Sequence, residues 1–326
     1  MGKNITTKFS ILKSIFTNLA NPSAYSNYKN VYNEAKKINK NVTSKQVLNE
    51  LQSSNTYTLH KQKRIRFPRL KTIPLGYLTD LQADLAVFKD FAMFNNGYKY
   101  LLVCVDVLSR MLFVAPIKSK SPRHVKWAFD KIFEKMPFEP KHIFTDKGME
   151  FEAKEMYNYY KDKNILKYVA QSPDVKAAIA ERFIKTVKNR LYRYFTENKT
   201  LRWLEPIELI EQGINNSYNR SIGMCPAEVN IYNANELWDK LYLNNNRRMK
   251  RYKRRKARFQ VGDQVRISKH KGTFEKGYLP NYTQEVFKID KVKTKGLPNY
   301  RIVDLGGEKI IGKFYEQEFS KTKFKK

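Results

Sequence analysis

The sequence predicts an α/β protein: a central mixed β-sheet flanked by helices, a helical region before it and a small β-barrel after it. Three observations predict this. Residues 75–240 alternate strand-like and helical segments in the order βββαβαβαα. Residues 1–60 carry apolar side chains at three- and four-residue spacing, the period of a helix. Residues 259–326 hold about five short strands separated by Gly, Pro and Asn.

In the first region, KFSILKSIFTNL and SAYSNYKNVYNEAKKI have helical spacing, and Thr43 with Gln46 makes a capping box ahead of KQVLNELQ. A small helix-turn-helix-like domain and a helical arm without specificity both fit. In the centre, YLTDLQADLAVF, YKYLLVCVDVLS and RMLFVAPIKS are rich in β-branched and aromatic residues and read as strands. Asn96-Gly97 marks a tight turn and Ser109-Arg110 a very short link, so these strands are expected to run antiparallel. Ser121 as N-cap and Pro122 at the first helical position start the helix SPRHVKWAFDKIFEKM. HIFTD is then a short strand, AKEMYNYYKDKN a helix and ILKYVAQ a further strand. Two helices, roughly 177–197 and 202–220, close the domain. This is the element order of a ribonuclease H-like fold. Beyond it, VGDQVRISK, EVFKIDKVKT, NYRIVDLG and EKIIGKFYEQEF read as strands, with a hairpin turn at Asp304-Leu305-Gly306-Gly307; an SH3-like barrel is the expected form.

Charge narrows the function. The chain has 63 Lys and Arg against 31 acids, a net charge of +32. Such a balance points to nucleic acid, because each neutralised phosphate releases counterions. The bland alternative, uniform enrichment in Lys, does not fit the clustering. KQKRIRFPRLK at 61–71 holds six basic residues and no acid; RRMKRYKRRKAR at 247–258 holds nine and no acid. Both lie between patterned segments and read as phosphate-touching linkers or nuclear import signals. The divisions are therefore 1–60 helical, 61–74 basic linker, 75–240 core, 241–258 basic linker and 259–326 barrel. No apolar run is long enough to span a bilayer, so no membrane partner is expected. No cleavable signal follows Met1-Gly2-Lys3, although MGKNIT fits the loose myristoylation pattern through Gly2 and Thr6. Cys104 and Cys225 form no CxxC, and His60, His124, His142 and His270 are scattered, so no structural zinc is expected. A reducing interior, cytosol or nucleus, suits two lone thiols.

Three carboxylates stand out. Asp84 lies inside an apolar strand, where a charge is costly unless paired or bound to a metal. Asp146 ends the strand HIFTD, and Gly148 is expected to turn the chain away. Glu181 lies in AAIAERFIKTVKNRL, where Ala178, Phe183 and Val187 are placed to pack on the core. The separations are 61 residues between the first pair and 34 between the second. Asp80, on the same strand face as Asp84, competes with it; Asp106 and Glu150 read as turn residues, and Asp174 falls in a loop nearby. Three oxygen ligands suit Mg²⁺ or Mn²⁺.

QADL, TDKGMEF and the acid of AERF, in this order, resemble the D,D-35-E pattern of the DDE integrases of retroviruses, retrotransposons and Maverick/Polinton transposons. DVLSR, NNSYNRSIGMCPAEV, GDQVRISK and FEKGYLPNYTQEVFKI extend the likeness over about residues 57–320. Two features depart from the pattern. No HHCC zinc set precedes the core, and the second spacing is one residue short. The resemblance implies a DNA integrase that uses two Mg²⁺ or Mn²⁺ ions on Asp84, Asp146 and Glu181 for 3′-end processing and strand transfer. It implies that Lys185 and Lys188, four and seven residues after Glu181 on one helix face, hold element DNA; the alternative for them is a solvated face. Arg247, Arg248, Lys250, Arg251, Lys253, Arg254 and Arg255 are the expected DNA contacts of the second basic run. Double-stranded DNA and further copies of the chain are the implied partners, and the nucleus (or a virion or cytoplasmic replication site, for a virus-encoded chain) the implied location. A noncatalytic DNA-binding protein derived from such an element is the second reading.

Overall fold

The computed structural model describes residues 11–64, 67, 69–70, 72–169, 178–243, 256–269, 275–294 and 297–323. The Gly2 motif, Asp174, His270 and Arg247–Arg255 lie outside these. The chain divides into two units, residues 71–250 and residues 1–70 together with 251–326.

The second of these units begins with four helices: α1 (residues 11–17), α2 (Tyr28–Ile38), α3 (Ser44–Ser53) and α4 (Asn55–His60). Leu12, Ile15 and Phe16 of α1 meet Val31 and Ala35 of α2 and Val47 and Leu51 of α3 in one core. The expected capping box is present: the Thr43 amide donates to Gln46 Oε1 at 2.8 Å, and the Gln46 amide to Thr43 Oγ1 at 3.3 Å.

The central unit holds β1 (Asp80–Val87), β2 (Tyr100–Asp106), β3 (Leu112–Ile117), α5 (Pro122–Phe133) and β4 (His142–Thr145). There follow α6 (Met149–Glu152), α7 (Lys154–Asp162), β5 (Leu166–Val169), α8 (Ala178–Asn198), α9 (Ile207–Asn215) and α10 (Ala234–Trp238). The sheet order is β3-β2-β1-β4-β5. β1 to β3 are antiparallel, as the short links require; β4 runs parallel to β1 and β5 parallel to β4. Asn96 and Gly97 both take positive φ, 52° and 78°, which is the reason for that dipeptide.

Every residue of β2 is buried. Leu102 and Cys104 join Phe129 and Ile132 of α5 and Met156 and Tyr160 of α7 on one face. Leu101, Val103 and Val105 join Phe183, Val187 and Leu191 of α8 and Ile207 of α9 on the other. A strand covered on both faces reads as an unbroken apolar run, and LLVCV is one. Two details of the sequence reading change. On α8 the buried small residue is Ala180, whereas Ala178 is exposed, and the helix expected over 202–220 is shorter, Ile207–Asn215.

DVLSR is a built turn. Asp106 Oδ2 accepts the Ser109 amide at 2.7 Å and its hydroxyl at 2.6 Å, and Arg110 turns the chain at φ 63°. Burial pushes the Asp106 carboxyl up to about 6, against the pull of the Ser109 bonds. A folded value above the unfolded one means stability that is complete below pH ~4 and lost as pH rises through 6, up to about 3 kcal/mol. Asp106→Asn keeps an acceptor for Ser109 and removes the titration. Thermal melts from pH 4 to 7 should show the variant gaining on wild type by about 2–3 kcal/mol as pH rises. A difference that stays constant with pH would contradict this.

The terminal unit is completed by β6 (Gln264–Ile267), β7 (Phe287–Lys293), β8 (Asn299–Val303), β9 (Lys309–Phe314) and β10 (Phe319–Lys321), in the order β10-β6-β7-β8-β9. All pairings are antiparallel. The 304–307 hairpin turn is present: Gly307 sits at φ 94° and the Asp304 amide donates to the Glu308 carbonyl at 2.9 Å. Phe259, Val265, Phe287, Tyr300 and Phe319 fill a small core. This antiparallel sheet with one core agrees with the expected small barrel.

The helices and this sheet, drawn apart in the sequence, share one unit. Arg266 of β6 is 1% exposed. Its Nε donates to Thr58 Oγ1 at 3.1 Å and its Nη2 to Asn55 Oδ1 at 2.8 Å, both on α4. Its Nη1 reaches the Thr283 and Gln284 carbonyls. The amides of Asn281 and Tyr282 donate to the Leu59 carbonyl at 2.9 and 3.1 Å.

Candidate active site

β1 decides between its two acids. Asp80 is buried and fully engaged: Oδ2 accepts the Leu75 amide and the Thr79 hydroxyl, each at 2.7 Å, and Oδ1 pairs with His142 Nδ1 at 2.8 Å. It ties the start of the sheet together. Asp84 is the one half-exposed residue between Asp80 and Ala86. One of its oxygens accepts the Leu85 amide at 2.8 Å.

Strand register brings Asp146 to Asp84. β1 and β4 pair in parallel as Asp80 with His142, Leu81 with Ile143 and Gln82 with Phe144. Carrying that offset two residues further sets Asp146, the first residue after β4, level with Asp84. Neighbouring strands lie about 4.8 Å apart, so the two carboxylates emerge beside each other. Asp146 Oδ1 accepts the Gly148 amide at 3.1 Å. Gly148 itself has φ −63°, a value open to any residue, so the expectation that it is there to bend the chain is corrected. Space is the reason: a Cβ there would lie 2.8 Å from the Glu150 carboxyl carbon and 3.1 Å from Asp146 Oδ1.

Glu181 lies in the first turn of α8, exposed, while Ala180, Phe183 and Val187 bury the opposite face. Its position is fixed by a residue that sequence reading missed. Gln82 is buried two residues before Asp84, and its Oε1 accepts the Ile179 amide at 2.9 Å. That amide is one of the helix-start donors with no partner inside the helix. A buried amide inside an apolar strand was the available signal. Gln82→Ala should cost about 1–3 kcal/mol and let the helix start drift from the sheet. Hydrogen exchange at the Ile179 amide should speed up well beyond what the lost global stability explains. A rate that tracks stability alone would contradict this.

Asp84 senses the other two acids. The Asp84 carboxyl is raised to about 6, by burial first and by the charges of Asp146 and Glu181; the Leu85 amide and Lys120 pull it down. Lys120 is the second residue missed. Its Nζ pairs with Glu150 Oε1 at 2.8 Å, and that bond raises its own ammonium. Lying in KSKSPR between a strand and a helix, it looked like ordinary solvated charge. Glu150 is thus tied to a lysine.

Of the proposed DNA contacts, Lys185 is exposed on α8, and Lys188 places its Nζ 5.3 Å over the Phe88 ring. Arg190 is turned elsewhere, donating to Ser217 Oγ at 2.9 Å on the α9 side.

The donor type fits a hard divalent cation: three carboxylates from β1, the end of β4 and the start of α8. Among the described residues, no three His, Cys, Asp or Glu side chains converge tightly enough to hold an ion. The repulsion recorded at Asp84 opposes such convergence in the absence of a cation.

Residues 81–172 match the family model of the integrase core domain. The chain carries an integrase core domain. The match includes Asp84 and Asp146, and Glu181 lies just beyond it. A transposon-derived protein of Caenorhabditis elegans, itself uncharacterized, is 34% identical over 205 residues, covering 61% of this chain. The chain spans 65% of that relative's length. A chain of the simian T-cell lymphotropic virus intasome, solved in complex with PP2A regulatory subunit B56 gamma, superposes with a TM-score of 0.57 at 14% identity. The superposition covers 87% of this chain and 92% of that one, so the fold likeness extends well past the integrase core domain. Among the described residues, no helix is long and apolar enough to cross a membrane.

Proposed function

We propose that this chain is a mobile-element DNA integrase of the retrotransposon or Maverick/Polinton type: a Mg²⁺- or Mn²⁺-dependent polynucleotidyl transferase that trims a DNA 3′ end and joins it to target DNA. One observation carries the reading. Within a matched integrase core, strand register sets Asp146 level with Asp84, and Glu181 is close enough to raise the Asp84 carboxyl.

Asp84, Asp146 and Glu181 would hold the cations. When bound, two such ions activate the attacking oxygen and stabilise the leaving one. The chain's own part is positional. β1 and β4 fix the two aspartates, Gln82 fixes the helix that carries Glu181, and Lys120 holds Glu150 aside. Lys185 and Lys188, on the Glu181 helix, would contact the element end. The basic run Arg247, Arg248, Lys250, Arg251, Lys253, Arg254 and Arg255 would add phosphate contacts. Strand transfer at paired ends calls for more than one copy of the chain, and nuclear action follows from a chromosomal target.

Short duplexes with the element's terminal sequence, incubated with protein and Mn²⁺, should yield strand-transfer products with wild type and none with Asp146→Asn. Equal products from both would sink the enzymatic reading. DNA binding by both, with products from neither at a verified end, would favour a noncatalytic DNA-binding protein.

A further inference from the structure

A cleft in the helical region has no role in the reading above. It has a volume of ≈ 610 Å³ and opens between the turn before α2 and the end of α4. That volume lies in the usual range for small-ligand sites, roughly 300–1,000 Å³. It is walled by aromatic rings: Phe16, Tyr25, Tyr28 and Tyr57 all line it. The Phe16 ring meets those of Tyr25 and Tyr57 edge-on, with centroids 5.3 and 5.9 Å away.

Its charge has one sign. Lys29, His60 and Lys61 line it, and none of its lining residues is Asp or Glu. Arg258 lies close by: burial raises the Tyr57 phenol, which Arg258 partly offsets, and Arg258 opposes the Lys61 charge. Burial first, and Arg258 second, bring the Lys61 ammonium down to about 8. An anion beside Lys61 and Arg258 would relieve that conflict.

Tyr25 adds a third, independent feature. It sits at φ 48°, in the left-handed region, which is an outlier for a bulky residue. Its side chain is nevertheless half exposed at 51%. Such strain persists where the surroundings hold it, and it gathers at ligand clamps.

A ligand for this cleft must be flat, to lie against aromatic faces, and anionic, to meet a cationic wall. A quaternary ammonium, the other common guest of aromatic cages, is repelled by the lysines. A duplex has its base faces stacked and inaccessible. We infer that the cleft lined by Tyr25, Tyr57 and Lys61 takes a single unpaired nucleotide, its base on the tyrosines and its phosphate on Lys61. The stacking of one base on an aromatic ring is sequence-tolerant, so the site reads the unpaired state rather than the base. The source is the end of a DNA strand or a free nucleotide. The DNA source rests on the proposed integrase reading; the nucleotide chemistry does not.

Fluorescence anisotropy with the full chain separates these. The probes are a blunt duplex, the same duplex with a one-nucleotide overhang, and dAMP or inorganic phosphate as competitors. The overhang duplex should bind at least about fivefold tighter than the blunt one. Tyr25→Asn, which suits a left-handed backbone and removes the ring, should bring the ratio within about twofold. Lys61→Gln should do the same, and Lys61→Arg should restore the preference. Blunt-duplex affinity, unchanged in Tyr25→Asn, controls for folding and tests general DNA binding separately; because Lys61 belongs to the basic run 61–71, its variants are read by the overhang-to-blunt ratio alone. Competition by dAMP but not phosphate supports a nucleotide site. Saturable dAMP binding, lost in Tyr25→Asn, without an overhang preference assigns the site to free nucleotides. Equal binding of both duplexes with no dAMP binding, or a preference that survives both variants, overturns the inference.

Discussion

Asp84→Asn should reduce strand transfer by on the order of 10³-fold or more, equivalent to about 4 kcal/mol of transition-state stabilisation, while the protein stays folded. The substitution keeps the shape and the acceptor for the Leu85 amide. It removes the carboxylate on which the charges of Asp146 and Glu181 both act. Asp84, Asp146 and Glu181 together would hold the cations, and losing one of three carboxylates would weaken that hold. Because Asp84 is held against burial and against two like charges, its loss should not lower the melting temperature. Mn²⁺ titration by calorimetry gives a second readout: affinity should fall with the charge even where DNA ends are absent. Asp80→Asn is the matched control. Asp80 holds Leu75, Thr79 and His142, so that variant should lose stability and keep Mn²⁺ affinity once folded. The reverse pattern, with Asp80 governing metal and Asp84 governing stability, would show that the wrong strand acid has been chosen.

Arg266→Ala should open the terminal unit. The guanidinium is buried among neutral acceptors: two α4 side chains and two backbone carbonyls. Its removal leaves those acceptors unpaired as well as a cavity, at a cost of about 3–5 kcal/mol. The local readout is hydrogen exchange of the Asn281 and Tyr282 amides, which donate to Leu59. These should exchange roughly 10²–10³-fold faster, while β2 amides of the central unit keep their protection. Arg266→Lys keeps the charge but not the planar fork and should recover only part of the loss. Unchanged exchange in Arg266→Ala would mean that the helices and the sheet are held together by their apolar contacts alone.

The sheet was legible because its pattern is local. LLVCV is apolar on both faces of a central strand, Asn96-Gly97 accepts positive φ, and Ser121-Pro122 starts a helix. The acids were legible for a different reason: each interrupts an apolar pattern, Asp84 within a strand and Asp146 at the end of one. The resemblance already favoured Asp84 over Asp80; what sequence does not display is how Asp80 is occupied, chiefly by the His142 ring brought across from β4. Gln82 and Lys120 stayed hidden because their roles lie in contacts 97 and 30 residues away. The same holds for Arg266. Among 63 basic residues nothing marks it, and its partner Thr58 is 208 positions distant. Gly148 misled in an instructive way, since glycine in a turn suggests conformation and here answers to crowding.

The sharing of one unit by residues 1–70 and 251–326 also sets an order of events in synthesis and folding. The central unit draws on an unbroken stretch of chain and can form as soon as that stretch is free. α1 to α4 can close their own small core early, but α4 must wait for Arg266, Thr283 and the strand edge beside Leu59. Those contacts span about two hundred positions, and long closures slow folding more than they weaken the final state. Until residues 251–326 emerge, the central unit can be complete while the terminal unit is not. Arg266 is thus among the last groups needed to lock helices made about two hundred positions earlier.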